Sequence, residues 1–88
     1  MKVSDEIRKE IIELVKDIGQ STLEENVYII DYDVLVKHLM NDKSTANKVL
    51  VWLREHNMII DHMIDVETKR IGKVQLKVTK EKYMVRIP

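Results

Sequence analysis

The spacing of apolar residues changes once along this chain, near Asn57, and that change limits the folds open to it. Before Asn57, apolar residues recur every three or four positions in separate segments, which is typical of amphipathic helices. After it, apolar and polar residues alternate, which is typical of strands. Since 88 residues suffice for one domain and not two, the sequence predicts a single α+β domain over residues 1–88.

The first predicted helix covers residues 5–18. Ser4 is the predicted N-cap, and Gly19 stands where a left-handed C-cap belongs. The predicted core stripe consists of Ile7, Ile11, Leu14, Val15 and Ile18. A polar connection (residues 20–26) and a brief β-prone segment (residues 27–30) follow.

Two further helices are separated by a turn at residues 41–43. The second is capped by Asp31 or Asp33 and reaches about Met40, with a core stripe of Tyr32, Leu35, Val36, Leu39 and Met40. The third is capped by Ser44 and ends near His56, with a core stripe of Ala46, Val49, Leu50 and Leu53. Asn57 suits the end of this helix because asparagine tolerates positive φ.

The last third of the chain predicts a β-hairpin. Apolar residues alternate over residues 60–66 and 74–78, and residues 68–72 resemble a hairpin tip. The charged triplet at residues 80–82 interrupts the alternation, so an extra C-terminal strand is expected at residues 83–87.

Charge is distributed unevenly although the net charge is zero. Residues 1–42 hold five Lys/Arg and ten Asp/Glu, a balance of −5, whereas residues 43–88 hold ten and five, a balance of +5. Such asymmetry points to a nucleic-acid surface, although a charge-rich protein can also segregate charge by chance.

Residues 44–59, with the sequence STANKVLVWLREHNMI, carry a resemblance to a known superfamily. The segment begins with a polar cap, a small buried residue and a basic residue. Val-Leu and a further Leu come next, and a turn residue then precedes an apolar one. In this pattern, and in element order, the chain resembles the winged helix-turn-helix DNA-binding proteins. The resemblance implies three helices, a β-hairpin wing and contact with double-stranded DNA. Asn57 replaces the usual Gly, and a third strand after the wing is not general in the superfamily.

Two groups of residues are the candidate DNA contacts. At the start of the third helix, Asn and Lys can reach base edges, while Ser, Thr and the free helix amides suit phosphate; this group is Lys43, Ser44, Thr45, Asn47 and Lys48. In the wing, a basic excess predicts a phosphate or minor-groove clamp, with Lys73 and Lys77 on one strand face; this group is Lys69, Arg70, Lys73 and Lys77. The alternatives are a solvated helix face and lysines that protect an edge strand.

Val51 and Trp52 lie off the core stripe of the third helix and are either a partner surface or, for Trp52, packed beneath the first helix or the wing. With Ile12 they motivate an expected homodimer. No catalytic constellation, cofactor motif or metal site is found, and the three histidines are scattered. The chain is therefore expected not to be an enzyme.

Composition bears on the location of the protein. Cysteine is absent, no apolar run is long enough for a membrane span, and the N-terminus lacks an apolar signal segment, which favours the cytoplasm. Many Ile, Val, Lys and Glu residues with two Gln favour a thermophilic source. The leading hypothesis is a transcriptional regulator; the alternative is a winged-helix module for protein contact within a larger nucleic-acid-processing assembly.

Overall fold

A computed structural model describes the backbone of residues 2–88 and the side chains of residues 5–88. The described chain is α+β, with three helices and a four-stranded antiparallel sheet of order β1-β2-β4-β3. The elements are α1 (Lys2–Ile18), β1 (Gln20–Ser21), β2 (Val27–Asp31), α2 (Tyr32–His38), α3 (Lys43–Glu55), β3 (Ile59–Ile71) and β4 (Val74–Arg86). The predicted α+β class is confirmed, as are the three helices followed by a hairpin. The sheet is more than a simple hairpin wing, because β1, within the predicted polar connection, and the pairing of β2 with β4 were not predicted.

Helix α1 buries Ile11 and Val15 against the sheet and the other helices. It begins at Lys2, so the prediction that Ser4 caps it is wrong. Ile7, placed on the predicted core stripe, is 41% exposed, so its assignment to the core is wrong. Ile12, by contrast, is half-buried against the core.

Gly19 ends α1 for a different reason from the predicted one. It does not have positive φ, and its N–H donates to the Val15 carbonyl at 2.8 Å. A Cβ on Gly19 would overlap that carbonyl oxygen and lie 2.9 Å from the Tyr28 Cβ. Glycine is therefore required by the close approach of α1 to β2, not by a left-handed turn.

Aspartates cap both α2 and α3. Asp31 accepts a bond from the Asp33 N–H at 2.9 Å, and Asp42 accepts one from the Thr45 N–H at 3.1 Å. The prediction of Ser44 as a cap is wrong because α3 begins one residue before it. Helix α2 ends at His38, earlier than predicted, because the chain turns with positive φ at residues 40 and 41. Met40 is accordingly exposed and not in the core.

The core lies between one face of the sheet and the three helices. Helix α3 contributes Ala46, Leu50 and Leu53, all buried as predicted, while Val49 is half-buried. Asn57 has a φ of 57°, as predicted, and the chain then returns so that the Met58 N–H donates to the Leu53 carbonyl at 2.9 Å. From the sheet, Ile30, Tyr83 and Val85 complete the core. We call their side of the sheet the helix face and the other side the outer face.

Strands β3 and β4 form one long hairpin. They pair from Ile59↔Val85 to Ile71↔Val74, with a single register shift between Ile59 and Asp61. The predicted extra strand is wrong: β4 runs unbroken through residues 80–82, because neighbouring side chains in a strand point to opposite faces and a charged triplet does not have to end it. The tip is a two-residue turn at Gly72 and Lys73, with Gly72 at a φ of 61°, rather than the predicted residues 68–72.

The hairpin extends well beyond the helices. Strand β2 pairs with β4 only from Val27↔Arg86 to Asp31↔Lys82, so the remainder of the hairpin has no third strand. None of residues 64–81, which we call the arm, is buried. The molecule consequently measures 56 × 29 × 20 Å. The rest of the described chain is called the body.

Candidate nucleic-acid interface

The outward face of α3 forms an open groove near the helix start. It is lined by Ser44, Asn47, Lys48, Val51, Trp52 and Glu55. Asn47 and Lys48 are exposed, as the helical projection predicts, because the opposite side of the helix faces the core. The groove therefore offers an amide, an ammonium and a hydroxyl, which are the groups that recognise base edges and phosphates. Glu55 places one carboxylate at its far end.

Asn47 is oriented by a residue on another helix. The Tyr32 hydroxyl, at the first position of α2, donates to the Asn47 Oδ1 at 3.0 Å. This bond uses one lone pair of the amide oxygen and leaves the second lone pair and both N–H donors free. An amide held in this orientation can still accept from the N6 amino group and donate to N7 of an adenine.

Tyr32 is a site residue that the sequence analysis missed, because it was assigned to the core stripe of α2. The ring is half-buried against the core while the hydroxyl reaches the surface of α3. A tyrosine at a core position needs a hydrogen-bond partner for its hydroxyl. This need was the only indication in the sequence that Tyr32 contacts a residue of the site. The partner lies fifteen residues away and could not be identified from spacing.

The N-terminus of α3 is already occupied by a carboxylate. Asp42 accepts from the Thr45 hydroxyl at 2.7 Å and from the Thr45 N–H. These bonds, the hydroxyl first, hold the pKa of Asp42 below its usual value. The expectation that Thr45 binds phosphate here must be revised, because Asp42 already accepts from both its N–H and its hydroxyl. Lys43 and Ser44 remain exposed at the first turn.

Trp52 belongs mainly to the body. Its ring is half-buried against the core and stacks on His56, with centroids 3.9 Å apart. It borders a cleft that Ile7 and Arg8 of α1 also line. Its partial burial against the core favours the packing interpretation of Trp52 over a fully exposed partner surface. Val51 is 47% exposed, which leaves it as the apolar member of the α3 groove.

The basic residues of the arm divide between the two faces of the hairpin. Register pairs share a face, and successive residues alternate. Counting from Tyr83, Arg70 (opposite Gln75) and Lys77 (opposite Thr68) are on the helix face, whereas Lys69 (opposite Leu76) is on the outer face. Lys73 is in the turn. The prediction that Lys73 and Lys77 share a strand face is therefore wrong, because the turn falls at Lys73.

The distal arm is nevertheless uniformly basic. Residues 68–77 contain four basic residues and no acid. Closer to the body, Lys80 lies 3.7 Å from the Glu67 carboxylate, and Lys82 is opposite Met63 on the outer face. The uncompensated positive charge is thus concentrated in the last four residue pairs of the hairpin and its turn.

A stacked pair of rings lies in the body at the base of the arm. The His62 and Tyr83 rings are nearly parallel, with centroids 4.4 Å apart. Glu81 Oε2 accepts from the Tyr83 hydroxyl at 3.0 Å and lies 3.4 Å from His62 Nε2. Burial, and then the bond to Glu81, raises the pKa of Tyr83 to about 12. Tyr83 therefore remains a neutral hydrogen-bond donor at ordinary pH.

Within the described residues, no three His, Cys, Asp or Glu side chains are grouped so that they could hold a metal ion. His38, His56 and His62 lie on separate elements or loops, next to Asp17, Trp52 and Glu81 respectively. In the same part of the chain, no helix is both long and apolar enough to cross a membrane. Comparison with known proteins finds no matching family model, curated protein or solved structure.

Proposed function

We propose that this chain binds double-stranded DNA in the manner of a winged helix-turn-helix transcriptional regulator, without catalysis and without a cofactor. Helix α3 enters the major groove, and the β3–β4 hairpin acts as the wing. The observation that carries the proposal is that α3, with Asn47 and Lys48 exposed in its groove, and the basic helix face of the arm belong to the same side of the sheet.

The N-terminal half of α3 supplies base contacts in this proposal. Asn47 and Lys48 are exposed side by side, and Asn47 is held by Tyr32. An amide with a fixed orientation loses less side-chain entropy on binding and discriminates better between donor and acceptor patterns. Four residues separate α2 from α3, a connection short enough for a helix-turn-helix.

The arm supplies phosphate contacts. Arg70, Lys73 and Lys77 have no acidic neighbour among residues 68–77, and Arg70 and Lys77 project from the helix face. Lys69 is removed from this set because it projects from the outer face. The acidic surface of residues 1–42, with a balance of −5, is expected to turn away from DNA.

Binding to random duplex DNA at several salt concentrations tests the proposal. Each phosphate contact contributes a slope of about 0.9 log units of affinity per log unit of salt, so the triple variant Arg70→Ala/Lys73→Ala/Lys77→Ala is expected to flatten the slope by roughly two to three units. The control is Lys82→Ala, on the outer face near the body, which should leave the slope unchanged. Parallel lines for the wild type and the triple variant would remove the arm from the interface. No binding by the wild type would contradict the proposed function.

One observation favours a second candidate, a protein-contact module. The α3 groove also contains Val51, Trp52 and Glu55, and an apolar side chain beside a carboxylate suits a protein surface better than a phosphate backbone. On this alternative, duplex DNA would not bind at any salt concentration, and the same assay separates the two. We also propose that the protein acts as a homodimer, since one reading helix and one wing contact few phosphates.

A further inference from the structure

Strand β3 is a long free edge of the sheet. In the order β1-β2-β4-β3 it pairs only with β4, and it is thirteen residues long. Natural proteins protect such edges with short strands, proline, bulges or charged side chains, and of these only charged side chains are present along most of β3. Here the one register shift lies at the body end, between Ile59 and Asp61, and residues 63–71 pair regularly and contain no proline. Every second N–H and C=O of this stretch therefore points away from β4.

The arm also exposes apolar side chains that no element of the described chain covers. Ile64, Val66 and Ile71 of β3 are each more than half exposed, as is Val74 of β4. Contiguous apolar surface of this kind usually marks an interface. The edge thus combines unpaired backbone groups with apolar side chains on both faces.

Charge along β3 is ordered in a way that selects one partner. Three acids, Asp61, Asp65 and Glu67, come first, and two bases, Lys69 and Arg70, come after them. A second copy of β3 running antiparallel brings the acidic half of each strand opposite the basic half of the other. A parallel copy would instead match like with like, which is unfavourable.

We propose that two copies of this chain pair antiparallel along residues 63–71 of β3, which joins their sheets across a two-fold axis. In this register Asp65 lies opposite Lys69 of the other copy, and Met63 lies opposite Ile71. Each contact occurs twice, as two-fold symmetry requires. Glu67 meets its own copy at the axis, where the Lys80 ammonium 3.7 Å from each Glu67 compensates the two carboxylates.

The pairing uses a different set of bases from DNA binding. Lys69 projects from the outer face and forms the contact between copies, whereas Arg70 and Lys77 project from the helix face and remain free for phosphate. The interface deepens the homodimer included in the proposed function but does not depend on DNA. An experiment without DNA therefore tests the interface separately from DNA binding.

Analytical ultracentrifugation without DNA, over a range of micromolar concentrations, is the test. The wild type is expected to be a dimer, and Asp65→Lys or Lys69→Asp alone should weaken it at least about tenfold, because each replaces two opposite-charge pairs by two like-charge pairs. The double variant Asp65→Lys/Lys69→Asp should regain the wild-type dimerisation constant to within a few fold. Circular dichroism checks that every variant is folded.

Lys77→Asp is the matched control, a charge reversal on β4, whose outer edge is also unpaired in the arm. It should leave dimerisation unchanged. A wild type that stays monomeric, single variants that dimerise as well as the wild type, or a dimer lost through Lys77→Asp would each overturn the proposal. Hydrogen exchange on the wild type provides an independent check: every second β3 amide of residues 63–71 should be protected by pairing and should lose that protection on dilution.

Discussion

The body and the arm both contain apolar side chains but use them differently. In the body, side chains such as Val15, Leu35 and Leu53 are wholly inaccessible to solvent. In the arm, Ile64, Val66 and Ile71 lie open to solvent on a two-stranded ribbon. Burial, and not apolar content, determines where stability resides, because the free-energy gain is proportional to the area removed from water. The body should therefore carry the fold and the arm the contacts with partners.

Identical substitutions in the two regions give the largest expected contrast. Leu53→Ala removes a fully buried side chain and should cost about 2–5 kcal/mol of unfolding free energy. Leu76→Ala, in the arm, should cost less than about 1 kcal/mol, because Leu76 is 46% exposed. Chemical denaturation at low protein concentration measures both. Equal losses would mean that the arm is part of the cooperative core.

The two glycines offer a second, smaller contrast. Gly19→Ala should destabilise the body by about 1–3 kcal/mol, because a Cβ would collide with the Val15 carbonyl and Tyr28. At Gly72, at the tip of the arm, an added Cβ would meet no other atom. Gly72→Ala should therefore cost only the strain of positive φ, about 1 kcal/mol of unfolding free energy. Thermal unfolding of both variants compares them. A greater loss at Gly72 would contradict the division between body and arm.

The junction of the two regions predicts a modest pH effect. Because the pKa of Tyr83 rises from 10.0 to about 12 on folding, the unfolded chain releases this proton first as the pH increases. The stabilising contribution is complete below pH 10 and disappears as the pH approaches 12. Tyr83→Phe should therefore flatten the fall of unfolding free energy over this interval. Identical slopes would remove Tyr83 from this role.

Periodicity predicted the main helices of the body. The spacing of Ala46, Leu50 and Leu53 identified the buried side of α3, and Asn57 marked its end. Caps were less predictable, because Asp42 and Ser44 are both good N-caps and only the backbone geometry decides between them. Met40 was misassigned because α2 ends before it. Ile7 was misassigned because a stripe predicts which side of a helix is apolar but not which of its residues another element covers.

The arm and the α3 groove depend on contacts that local pattern does not reveal. Alternation predicted both strands, yet residues 80–82 continue β4 because their charges find separate positions: Glu81 contacts His62 and Tyr83, and Lys80 contacts Glu67. The exact position of the turn decides which bases share a face, and a difference of a single residue exchanges the faces. The bond from Tyr32 to Asn47 joins two helices and follows only from the tertiary fold.

A single binding comparison tests the central claim that α3 reads bases while the arm holds phosphates. A preferred duplex is first selected from a random library, and affinities for it and for a scrambled duplex are then measured at one salt concentration. Asn47→Ala should weaken the preferred duplex by about 1–3 kcal/mol and leave the scrambled one unchanged. Tyr32→Phe should act in the same direction but more weakly, and Arg70→Ala/Lys73→Ala/Lys77→Ala should weaken both duplexes equally. Failure to select any preferred duplex, or an equal loss on both duplexes for Asn47→Ala, would contradict the account.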